Sequence, residues 1–77
     1  MNITVRNFSS FAKAFTVFDA VAGLTVLTNT QFQPSGQAAL TILANGAGYG
    51  IIKYLDHASN VWSEVGFIHD NDLIDLG

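Results

Sequence analysis

Short apolar runs, each closed by glycine, proline, asparagine or aspartate, recur along the whole chain. This punctuation constrains the fold more than any other feature of the sequence. A helix needs apolar side chains every three or four residues over ten or more positions, whereas a half-buried strand needs only short alternation. Ile3–Phe8 alternates, with Ile3 and Val5 on one face and Thr4 and Arg6 on the other. Ala14–Val21 and Leu24–Thr30 follow, rich in β-branched and aromatic residues and parted by Ala22-Gly23. Pro34-Ser35-Gly36 marks a reversal, with proline presetting φ and glycine supplying a positive φ. Gln37–Ala44 alternates again, and Asn45-Gly46 is a strong hairpin dipeptide, lengthened by Ala47-Gly48. Tyr49–Leu55, Val61–Ile68 and Leu73–Leu76 complete the series, separated by the polar turns Asp56–Asn60 and His69–Asp72. The spacing predicts an all-β fold, a small antiparallel sandwich or partly open barrel of about seven short strands.

One segment supports a different reading. Phe8, Phe11, Phe15, Phe18 and Ala22 recur at helical spacing, Ser9 or Ser10 offers an N-cap, and Gly23 offers a stop. The alternative is therefore an α+β fold with a helix near residues 10–22. Against it, Phe15-Thr16-Val17-Phe18 has poor helix propensity, and no glutamate or glutamine completes a capping box. The strand reading is preferred.

At 77 residues, without a linker, repeat or charge block, residues 1–77 form a single β domain. Domains of this size often rely on disulfides, a metal or a partner subunit. The chain has no cysteine, which closes the disulfide and zinc-thiolate routes. Only 12% of residues are charged, and three basic side chains against six acidic ones give a net charge of −3. That balance argues against a nucleic-acid partner. No apolar stretch reaches the length of a membrane-spanning helix, and Met1–Asn7 lacks the basic and apolar regions of a secretory signal. No compartment is assigned; a virion and the cytoplasm both fit.

Several predicted strands carry apolar residues on both faces, although one sandwich offers a single internal layer. Phe18 opposes Phe15 and Val17; Leu27 opposes Leu24 and Val26; Leu43 opposes Leu40 and Ile42; Trp62 and Ile68 oppose Val61, Val65 and Phe67. Bulges would re-aim some of these. The sharper expectation is that Phe18, Leu27, Leu43 and Trp62 form an interface buried against another copy of the chain or another assembly protein. Low charge, a single proline and scarce lysine leave strand edges open to pairing.

No catalytic constellation emerges. Serines, two histidines and several aspartates are present, but there is no nucleophile elbow. His69-Asp70-Asn71-Asp72 offers oxygen ligands for Ca²⁺ or Mg²⁺ without the spacing of an EF-hand, and turn formation explains the cluster without a metal. Gly46-Ala47-Gly48-Tyr49-Gly50 lacks the Gly-Lys-Ser/Thr ending of a phosphate loop. Neither metal nor cofactor is expected, and the chain is read as non-enzymatic. Tyr49, Tyr54 and Trp62, close to polar residues, form the alternative site, a glycan- or lipid-headgroup-binding face.

Tyr54-Leu55-Asp56-His57-Ala58-Ser59-Asn60-Val61-Trp62-Ser63-Glu64-Val65 resembles the Trp-bearing hairpin of kelch repeats, and is similar to hairpins frequent in phage tail-fibre and other virion proteins. The resemblance implies only a hairpin with Asp56 and Asn60 in its turn, since a propeller needs several blades of ~50 residues. The expected function is that of a small structural subunit that self-associates, as in a viral or phage particle.

Overall fold

Alternation carries the chain through seven strands. The computed structural model describes residues 1–77, with β1 (Asn2–Asn7), β2 (Lys13–Asp19), β3 (Leu24–Phe32), β4 (Gln37–Thr41), β5 (Gly50–Asp56), β6 (Val61–Ile68) and β7 (Leu73–Leu76). The fold is all-β, and the alternative helix near 10–22 does not form. The β-branched and aromatic run in that segment packs better on a pleated surface than against a helical turn. As a strand it sends Phe15 and Val17 fully into the core and Phe18 to the opposite face.

The strands form two sheets, β4-β1-β7 and β3-β2-β5-β6. All pairings are antiparallel except β1 with β7, which run parallel with Val5 opposite Ile74. Only β2–β3 and β5–β6 are hairpins within a sheet; every other link crosses from one sheet to the other. Asn45-Gly46 therefore does not close a hairpin, because β4 and β5 belong to different sheets. It makes a compact crossover turn instead, in which the Asn45 side chain accepts from the N–H groups of Ala47 and Tyr49. One end of the sandwich gathers the N-terminus with the β2–β3, β4–β5 and β6–β7 links. The other gathers the C-terminus with the β1–β2, β3–β4 and β5–β6 links.

Between the sheets lie Ile3, Val5, Phe15, Val17, Phe32, Leu40, Ile42, Ile52, Ile68, Ile74 and Leu76. Phe15 meets Phe32 and Tyr54 edge-on, at centroid distances of 5.7 and 6.3 Å. Burial of each such side chain stabilises the fold by about 1.5–3 kcal/mol before chain entropy is charged against it.

Buried polar side chains tie the sheets together at both ends. Asn7, where β1 leaves its sheet, donates to the Phe11, Phe32 and Gln33 carbonyls and accepts from the Ser9 N–H. At the other end Asp19 accepts from the N–H groups of Val21 and Ala22 in its own turn, and from Leu43 in the crossover from β4. Asp56 takes the Lys13 ammonium at 2.8 Å and the Ala58 N–H at 2.9 Å, joining β5 to β2.

Register shifts in the β2–β3 and β5–β6 ladders change which side chains face inward. Register shifts between β2 and β3 leave both Val26 and Leu27 packed against the core. In β6 a shift at Gly66-Phe67 lets Ile68 point inward with Val65 and turns Phe67 out at φ +53°. The Gln33-Pro34-Ser35-Gly36 turn departs from expectation in its details. Ser35 carries the positive φ, +63°, while Gly36 is required because a Cβ there would stand 2.8 Å from the Gln33 carbonyl oxygen.

Candidate functional site

The outer face of β3-β2-β5-β6 has no layer above it, and pairing register fixes what it displays. Directly opposite residues of antiparallel strands share a face. One row across the sheet is Phe18, Lys53, Glu64, and the next is Thr16, Leu55, Trp62. The first sets a cation beside an anion; the second ends in an indole on the outermost strand. Trp62 is 54% exposed, whereas Phe18 and Leu55 are half-buried beneath their neighbours.

The four residues expected at an interface therefore separate. Phe18 and Trp62 share this outer face. Leu43, 56% exposed, sits at the N-terminal end of the sandwich, where its own N–H is held by Asp19. Leu27 is the exception: the bulges in β3 turn it toward the core, so it does not stand on the outer face. Tyr49, Tyr54 and Trp62 are not brought together either. Tyr54 aligns with Val17 on the inner face, Trp62 aligns with Leu55 on the outer face, and Tyr49 lies in the crossover before β5. Tyr49 instead stacks on Phe67, with centroids 4.6 Å apart and planes tilted by 33°.

Other exposed apolar side chains were not among the expected interface residues. Phe8 and Phe11 stand out from the β1–β2 link, and Leu24, Val61, Phe67 and Leu73 lie at strand ends or edges. Phe8 and Phe11 resembled a helical stripe; the local signal for a turn was Asn7-x-Ser9, whose side chains bind the link backbone. Phe67 was hidden by Gly66, which marks the bulge.

Charge is mostly spent within the chain. Arg6 Nε donates to Asp75 at 2.7 Å and its guanidinium lies 5.3 Å from the centroid of the Phe8 ring. Lys13 is committed to Asp56. Asp72 accepts from the His69 N–H within the His69–Asp72 turn, whereas Asp70 accepts from the Asn2 N–H and ties that turn to β1. His57 Nε2 and Thr16 Oγ1 are 2.7 Å apart on the outer face, and the same hydroxyl oxygen accepts from the Asn29 N–H. No pocket opens in the surface. No helix is long and apolar enough to cross a membrane. No protein-family model, curated protein or solved structure matches the chain.

Proposed function

We propose that the protein is a non-enzymatic structural subunit that associates with further copies of itself, as a component of a larger particle such as a virion. The observation that carries this reading is the set of large apolar side chains left in water by a completed sandwich: Phe8, Phe11, Leu24, Leu43, Val61, Trp62, Phe67 and Leu73. The core between the sheets is already filled, and these groups lie outside it. They stand at both ends and on one sheet face, and contact with further copies would remove their apolar surface from water. The unpaired charge that would hold copies apart is sparse, since two of the three basic residues are bound to Asp56 and Asp75.

The test is substitution at exposed positions that support no internal contact in the core. Trp62→Gln and Leu43→Gln should lower the molar mass in solution while leaving the unfolding free energy of the single chain within about 0.5 kcal/mol of the parent. Unchanged mass in both variants would remove these side chains from the interface. The competing glycan or lipid-headgroup reading now rests on Trp62 alone. Glycan-array or liposome binding abolished by Trp62→Ala, at unchanged mass, would favour it over assembly.

A further inference from the structure

Resting on the self-association reading, we propose that the free edge of β6 pairs antiparallel with β6 of a second copy, in a register centred on Ser63. The two four-stranded sheets then become one continuous sheet across a two-fold axis. An edge strand presents unpaired N–H and C=O groups, and proteins normally guard it with lysine, proline, bulges or brevity. The other edges of this sandwich are guarded. β3 is interrupted by register shifts and carries Asn29 at φ +39°. β4 and β7 are five and four residues long, and Asp75 of β7 holds Arg6. β6 is eight residues long with neither lysine nor proline. Its ladder with β5 is regular from Val61 to Val65, and the irregularity lies beyond, at Gly66-Phe67.

That regular segment, Val61-Trp62-Ser63-Glu64-Val65, is complementary to itself when reversed. Opposed residues must share a face, so shifting the register by one would set inner against outer side chains. Centred on Ser63, Val61 lies against the partner's Val65, and Trp62 against the partner's Glu64. A shift by two in one direction would set Glu64 against the partner's Glu64, which like charges oppose. A shift by two in the other direction draws the Asn60 turn, at φ +56°, into the ladder. The favoured register uses the whole straight segment and covers Val61, which the isolated protomer leaves exposed. It also brings the two indoles to diagonal positions on the outer face, beside Leu55 from each copy.

Cysteine cross-linking reads this register directly, because the chain has no cysteine of its own. Opposed Cα atoms of antiparallel strands are about 4.5–5.5 Å apart, within disulfide range. Under mild oxidation Ser63→Cys should form a covalent dimer at least tenfold faster than Ala39→Cys on the β4 edge. Val61→Cys alone should not cross-link, since its two copies would be separated by about 13 Å. The mixture of Val61→Cys with Val65→Cys should cross-link. If the parent chain associates but Ser63→Cys reacts no faster than Ala39→Cys, the β6 edge is not the interface and self-association stands on another surface. If the parent chain is monomeric throughout, both proposals fall together.

Discussion

Asp19 shows how much one side chain carries in a sandwich this small. Its carboxylate is buried and accepts three backbone N–H groups, two in its own turn and one from Leu43 in the crossover out of the other sheet. Removing the acceptor breaks three partly buried hydrogen bonds, each contributing about 0.5–1.5 kcal/mol. Asp19→Ala should therefore destabilise the protomer by about 3 kcal/mol in denaturant titration, and Asp19→Asn, which keeps one acceptor oxygen, by about half of that. A loss below 1 kcal/mol for the alanine variant would show that the tie is unimportant. Asp56 gives a pH signature. The Lys13 ammonium, as hydrogen-bond donor and neighbouring cation, and the Ala58 N–H hold its carboxyl below the ordinary value, against the opposing pull of desolvation. A lowered folded pKa favours the native state fully above the unfolded value near 3.8, and that contribution is lost as pH falls through the folded pKa. The stability difference between the parent and Asp56→Asn should thus be largest near pH 6 and shrink below pH ~4. A difference independent of pH would contradict the pairing. Asp19 did not stand out in the sequence and Asp56 did so only as a turn residue, because an aspartate beside a turn looks like any Asx turn; its long-range partner is set by topology.

Elements were legible where alternation was clean. β1, β2 and β5 follow their apolar periodicity, and the Asp56–Asn60 hairpin forms as its residues suggest. What alternation could not reveal was which links cross between sheets, since a turn dipeptide sets a local reversal and says nothing of the sheet that receives the next strand. Bulges were the other hidden feature: one extra residue inverts the facing of all that follows, so Leu27 and Ile68 point inward against simple parity. The crossover turn from β3 to β4 offers a test at this scale. Gly36→Ala places a Cβ 2.8 Å from the Gln33 carbonyl oxygen, a backbone atom that can give way only by opening the turn. It should cost about 1–3 kcal/mol, in the range of overpacked sites. Gly46→Ala, with nothing within 4 Å of its Cβ, should stay within about 0.5 kcal/mol of the parent. Equal effects would mean that the β3–β4 turn is more pliable than its geometry shows. Phe67 is of the same kind but opposite use: a bulky residue at φ +53°, 73% exposed, held by stacking on Tyr49. The strain of about 1 kcal/mol and the stacking of about 0.5–1.5 kcal/mol nearly offset, so Phe67→Asn should leave stability almost unchanged.

For the whole molecule, total area and surface composition tell different stories. The accessible surface of 4270 Å² is close to the roughly 4,500 Å² that scaling gives for a folded monomer of this mass. The radius of gyration, 11.6 Å, likewise matches a closed domain of 77 residues, about 11.5 Å. Residues 1–77 therefore pack as compactly as a closed domain of this mass, and what distinguishes them is the chemistry of their exterior. Large aromatic and aliphatic side chains project from both ends and one sheet face, with few free charges among them. The sequence already carried this excess, because half its residues are hydrophobic and a single internal layer has room for only part of them. Which side chains remain outside was set by bulges and crossovers. Light scattering of the parent chain over a hundredfold dilution measures the consequence most directly. The mass should stand at a multiple of 8.2 kDa at high concentration and fall toward 8.2 kDa on dilution, or hold at the multiple throughout. A constant 8.2 kDa up to millimolar protein would contradict the account, leaving the apolar exterior exposed to water in the isolated chain.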